Sequence, residues 1–262
     1  GSYSLTGDKP AVTNSQIIIR STNIWRPYAT DKESGLEVSR FPNPNLTYEK
    51  KHELNFGLDL GFFKNRLNLT IDWYTRNNFD LIGPHTTNAT KGALDEHVNV
   101  ASMRSHGEEF AISSKNFVGK DFQWTTDFVF SHVATKVTSL DSKSRIISMI
   151  TGSGFTKEGY AYRSLFSMDY RGLTSNGIPT FINENGQLVT SDINFQSYEL
   201  GNLVYEGPTD PTITGSLGNV FSYKGFHLNI FATYAFGNKI RLDPSFSSYY
   251  SDLSAMPKEF KN

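Results

Sequence analysis

From Tyr48 to Ile82 apolar and polar residues alternate with a period of two, and few folds accommodate that over so long a stretch. Leu54, Phe56, Leu58 and Leu60 fall on one face, with Glu53, Asn55, Gly57, Asp59 and Gly61 between them. The chain turns around Phe63-Lys64-Asn65-Arg66. Leu67, Leu69, Ile71 and Trp73 then alternate with Asn68, Thr70, Asp72, Tyr74 and Arg76. Successive side chains of a strand point to opposite faces, whereas an amphipathic helix needs spacings of three and four. The segment therefore reads as a long hairpin with one apolar and one strongly polar face.

The same unit recurs twice. Phe110 and Ile112 precede a turn near Val118-Gly119-Lys120-Asp121, followed by Phe122, Trp124, Thr126, Phe128 and Phe130 in alternation. Ile213, Leu217, Phe221 and Tyr223 precede Lys224-Gly225, and Phe226, Leu228, Ile230, Ala232, Tyr234 and Phe236 follow. Soluble strands have a mode of about five or six residues, while a strand crossing a bilayer at a tilt needs about 9–11. Aromatics mark both ends of each apolar face: Phe63, Phe122 and Phe226 near the turns, Trp73, Phe130 and Tyr234 at the far ends. Eight residues at ~3.3 Å each and a tilt of ~40° span roughly 20 Å, near the ~25 Å apolar band of an outer-membrane barrel. The connections inside hairpins are short, and those between them are long (about 7–45, 77–100, 135–211 and 238–262), as in barrels with short periplasmic turns and long extracellular loops.

Composition agrees by exclusion. With 25 Lys+Arg against 26 Asp+Glu the net charge is −1, without the basic excess of a nucleic-acid binder. The absence of cysteine excludes disulfides, thiolate catalysis and cysteine-based zinc sites. No 18-residue apolar window offers a transmembrane helix. A mean hydropathy of −0.40 suits a barrel, in which only alternate residues meet lipid. The fold class expected is all-β, a transmembrane antiparallel barrel. About seven strands are countable, with more in 155–205 if its weak periodicity is strand. Seven strands in an open sheet leave free edges that lipid does not tolerate, so residues 1–262 read as a portion of a larger barrel. The alternative is a surface-exposed β-rich binding or adhesion protein whose apolar faces meet each other.

Several blocks resemble one family. They are Asn43-Pro44-Asn45-Leu46-Thr47-Tyr48-Glu49-Lys50, Phe56-Gly57-Leu58-Asp59, and Gly61-Phe62-Phe63-Lys64-Asn65-Arg66-Leu67-Asn68. Ser102-Met103-Arg104, Gly107-Glu108-Glu109-Phe110, Gly207-Pro208-Thr209-Asp210-Pro211 and Tyr234-Ala235-Phe236-Gly237 follow in the same order. Together they resemble the SusC/RagA family of TonB-dependent outer-membrane transporters. The resemblance implies a 22-stranded plugged barrel in a Bacteroidetes-type outer membrane, of which this chain is a C-terminal part without the plug domain. It also implies a SusD-like lipoprotein lid, energy from the TonB complex, and import of oligosaccharides or oligopeptides.

Parity places Asp59, Asp72, Tyr74, Arg76 and Asp127 on the face that would line the lumen. Trp25, Arg26 and Tyr28, in a long loop, are candidate ligand contacts, because rings stack on sugars or hold peptide side chains. Tyr162 is a further loop aromatic of this kind. No catalytic residue, metal site or cofactor is expected. Asp95-Glu96-His97 and His106-Gly107-Glu108-Glu109 lack the paired histidines of a zinc helix, and Gly152-Ser153-Gly154 lacks the Lys-Ser/Thr ending of a phosphate loop.

Overall fold

The computed structural model describes residues 1–9, 17–25, 32–40, 43–86 and 95–242. In chain order the first strands are β1 (Ser2–Asp8), β2 (Ile18–Trp25), β3 (Lys32–Arg40), β4 (Glu49–Phe62), β5 (Leu67–Thr86), β6 (Asp95–Val118) and β7 (Phe122–Leu140). A short helix, α1 (Ile146–Thr151), precedes β8 (Ser164–Leu173), β9 (Pro179–Ile182), β10 (Leu188–Val189) and β11 (Leu203–Pro208). The last two strands are β12 (Ile213–Tyr223) and β13 (Phe226–Phe236). Seven of these form one sheet in the order β1-β4-β5-β6-β7-β12-β13, all neighbours antiparallel. The fold is all-β, with the three hairpins that the alternation predicts.

Register keeps the two faces distinct across the sheet. Phe56 lies opposite Trp73, Leu58 opposite Ile71 and Leu60 opposite Leu69. The row through Leu69 continues to Ile112, Phe128, Leu217 and Ala232. Among the described residues no second layer covers this face: Phe56, Leu228 and Ile230 are 54–57 % exposed and Phe226 is 80 % exposed. An adhesion-type β-domain would have buried this face against another sheet. Rings stack at its far end, Phe56 on Trp73 at 5.9 Å and Tyr234 on Phe236 at 5.7 Å.

The sheet is also sheared. The row through Leu67, the first residue of β5, passes Ser114, Thr126 and Asn219 and reaches β13 at Ile230, four residues from the strand's start at Phe226. About one residue of stagger per strand, ~3.3 Å along against ~4.8 Å across, corresponds to a tilt of roughly 35°, within the range of closed barrels. The turn between β4 and β5 holds Phe63, Lys64 and Asn65 at φ of 56°, 58° and 60°, all left-handed, and the Arg66 N–H donates to the Phe62 carbonyl at 3.1 Å.

Polar residues that fall on the apolar face satisfy one another. Ser114 donates to Asn116 Oδ1 (2.8 Å), Asn116 Nδ2 to Thr126 Oγ1 (2.6 Å), and Thr126 Oγ1 to Asn219 Oδ1 (2.7 Å). Trp124 Nε1 also donates to Asn219 Oδ1, at 3.0 Å. In an apolar medium an unpaired hydroxyl or amide costs several kcal/mol, so a self-contained chain of donors and acceptors is what permits these residues here.

Two glycines leave room for tyrosines. On the polar face the Tyr74 ring lies across Gly107, where a Cβ would stand 2.5 Å from the ring. On the apolar face Tyr234 lies across Gly215 and donates to the Val129 carbonyl at 3.0 Å. Gly107→Val is expected to displace Tyr74 and destabilise the barrel by about 1–3 kcal/mol, the usual range for overpacking. Denaturant titration of the lipid-embedded receptor would show it, and the combination with Tyr74→Ala should restore most of the loss.

Strand overruns the loop bounds suggested by sequence. β5 continues to Thr86, β6 begins at Asp95 and β7 reaches Leu140, while β2 and β3 pair as a hairpin within 7–45. Pro84 and the glycines had marked 77–100 as loop. Proline is tolerated on an edge that needs no ladder donor, and β4 pairs with β5 only as far as Phe79, which leaves that side of β5 without a strand partner at Pro84. Residues 141–212 form an insert with its own core. β10, β9, β8 and β11 pair as a four-stranded sheet, and Ile146, Met149, Leu165 and Phe166 are buried together with Val100 and Val137 of the long strands. Above His132, where β12 no longer covers β7, the insert supplies the missing edge: Val137 N–H donates to Tyr160 O and Gly159 N–H to Val137 O, both at 2.9 Å. Burial among these rings pushes the Lys157 ammonium below its ordinary range, and it lies 5.0 Å from the Tyr160 ring centre.

Candidate functional site

The polar face of β4, β5 and β6 gathers most of the residues that parity selects. Arg76 Nε donates to Glu53 Oε2 at 2.9 Å, and Lys51 Nζ pairs with the same oxygen at 3.0 Å. The Arg76 guanidinium stands 5.3 Å from the centre of the Tyr74 ring. That ring is held flat by Gly107, so a cation, a ring and a carboxylate lie side by side. Asp72 sits opposite Gly57 on β4 and opposite Glu109 on β6. Two carboxylates directly across a strand pair repel, which leaves this spot receptive to donors from solvent or solute. Asp59 accepts from Thr70 Oγ1 at 2.7 Å. Asp127, on β7, lies between Ser113 of β6 and Gly218 of β12, apart from the Glu53–Arg76 group.

Glu109 and Lys51 belong to the group although neither is among the lumen-facing residues named from parity. The signal was present, since each has the parity of those that are: Glu109 is the neighbour of apolar Phe110, and Lys51 is two residues from Glu53. Above this group the polar face meets the insert at a cavity of about 500 Å³. Glu49, Leu81 and Met103 of the sheet and Phe155 and Tyr162 of the insert are among its lining residues. Trp25 is at the end of β2, 59 % exposed, with the Lys32 ammonium 5.0 Å over its ring. Its companions Arg26 and Tyr28 lie outside the described residues. His106-Gly107-Glu108-Glu109 is split by the pleat, with His106 and Glu108 on one face and Glu109 on the other. The polar face offers hydrogen bonds, charge and a ring to a passing solute.

The TonB dependent receptor-like β-barrel family matches residues 17–251. The chain belongs to this family. TonB-dependent receptor P3 of Formosa agariphila is 27 % identical over 264 residues, covering 91 % of this chain and 25 % of that protein. TonB-dependent receptor P39 of the same organism is 26 % identical, over 92 % of this chain and 27 % of its own length. The chain thus spans about a quarter of these relatives. The solved RagAB peptide transporter superposes with a TM-score of 0.70 at 24 % identity, over 90 % of this chain and 26 % of that one. The RagAB peptide importer in its closed-closed state gives 0.70 at 25 %. The TonB-dependent receptor barrel is an outer-membrane structure, and the seven-stranded sheet is an open stretch of such a wall. Among the described residues β1 and β13 are its edges.

Proposed function

We propose that this chain forms part of the wall of an active importer, a SusC-like receptor that takes up oligopeptides or oligosaccharides. The apolar face meets lipid. The polar face, with Asp59, Asp72, Tyr74, Arg76 and Asp127, lines the lumen beside the plug. A SusD-like surface lipoprotein closes the outer mouth, and the TonB complex supplies the energy. Trp25, with Arg26 and Tyr28, contacts the cargo or the lid from the extracellular side. The protein makes and breaks no covalent bond in its cargo. The observation that carries this reading is a family-matched sheet with one face apolar and exposed and the other charged and ion-paired. The RagAB peptide transporter and importer, named for peptides, favour oligopeptides over glycans.

Uptake of labelled oligopeptides and oligosaccharides by cells expressing the full-length receptor, with and without its lipoprotein partner, tests this. Growth on neither cargo class depending on the receptor would refute it. Replacing Asp72, Tyr74 and Arg76 together by alanine should lower uptake or cargo affinity by roughly tenfold, the worth of one or two charge-assisted hydrogen bonds. Unchanged uptake by a folded variant would reduce these residues to a hydrated inner wall.

A further inference from the structure

Beyond the far aromatic row, the apolar face changes character in an ordered way. Trp73 of β5 lies opposite Glu108, which lies opposite His132. The next row of the same parity holds Thr75, His106 and Ala134, and the one after it His52, Asn77, Arg104 and Lys136. Arg104 and Lys136 are thus a direct cross-strand pair of like charge, an arrangement that destabilises a sheet unless an anion relieves it. Both are exposed, and neither has a carboxylate partner or a side-chain hydrogen bond among the described residues. With Trp73, Thr75, His106 and Glu158 they line an open recess of about 730 Å³. The acid among its lining residues, Glu158, accepts from the Leu140 N–H through Oε2 at 3.3 Å, and Glu108, in the row of Trp73, pairs with His132 at 2.8 Å.

The recess sits at a telling height. Two to four residues beyond Trp73, at ~3.3 Å per residue and the tilt found above, is roughly 5–11 Å above the aromatic row, the thickness of a headgroup layer. Arginine presents a planar fork to phosphate oxygens, and long cationic side chains reach along an interface to find them.

We propose that this recess binds the phosphate of an anionic lipid headgroup in the outer leaflet, with Arg104 and Lys136 sharing the phosphate and Trp73 packing on the chain below it. The proposal rests on the apolar face meeting lipid, which charged substitution in the middle of that face tests on its own. The full-length receptor, in nanodiscs containing either phosphorylated lipid A or its dephosphorylated form, is the material to use, with bound lipid read by native mass spectrometry. The wild-type receptor should retain the phosphorylated lipid and discriminate against the other. Arg104→Ser with Lys136→Ser should weaken retention roughly thirtyfold, at the usual contribution of each interfacial cation, while Arg104→Lys keeps most of it. Heat-dependent gel mobility reports that each barrel is folded. Equal retention by the double variant, or wild-type indifference to removal of the phosphate, overturns the proposal. Displacement of the lipid by inorganic phosphate alone at millimolar concentration overturns it too, because the recess would then be a site for the free anion.

Discussion

Leu69→Arg is expected to destabilise the receptor barrel by about 2–4 kcal/mol, the range for a cation near the midplane of a lipid-facing strand. Leu69 lies between Leu60 and Ile112, in one of the two inner rows between the Leu67 and Trp73 ends of the apolar face. An arginine there must drag its charge through the band or distort the sheet to reach water. Ser113→Arg is the matched control. It sits on the polar face, opposite Asn68 and Asp127, where a cation meets a carboxylate, and its effect should stay within about 0.5 kcal/mol. Denaturant midpoints in vesicles, together with the fraction of protein migrating as a folded barrel without heating, give both numbers. Equal losses at the two positions would mean that the faces are not what their residues indicate.

Phe166→Ala should have a larger effect in a smaller region. The ring is fully buried, 5.3 Å from Tyr160 and 5.8 Å from Tyr205, with the Lys157 ammonium 5.5 Å above it. Truncating a buried phenylalanine costs about 3–5 kcal/mol, which is more than a four-stranded insert with few buried side chains can absorb. Hydrogen exchange should accelerate across 141–212, including the bonds that Phe155 and Ser164 exchange at 2.7 and 2.8 Å. The folded-barrel mobility should persist, because the wall is held by its own ladder and by lipid. Loss of barrel assembly would show instead that the insert and the wall fold as one cooperative unit. Surface loops that carry their own small core open at a lower free energy than the scaffold, and this separation is the physical content of the prediction.

The hairpins were legible because a period of two has a single structural meaning over ten or more residues, and a slip of one residue would expose every leucine to the wrong side. The same pattern marked Asp72, Tyr74 and Arg76 for the polar face. The insert was not legible. Its spacing of Tyr160, Tyr162, Leu165 and Met168 keeps no single period, because Tyr160 packs on Phe166 and Tyr205 and Leu165 is buried in a local core while Tyr162 stays exposed. The extensions of β5 and β6 were hidden by Pro84 and by glycines, whose turn-forming character was outweighed by pairing with a neighbouring strand. The SusC/RagA blocks are recognisable in any order of reading because turn residues and strand ends are local.

By itself, then, the chain's order of residues determined that it makes long two-faced strands, where they turn, and which face is apolar, since each of these depends on neighbours within a few positions. Only the tertiary structure decided which strands lie side by side and in what register. That is why the partnership of Thr126 with Asn219, 93 residues apart, and the opposition of Arg104 to Lys136 were invisible beforehand. Cross-strand contacts depend on the whole sheet's shear, and one bulge, such as that between Ser102 and Met103, changes the partner of every residue beyond it.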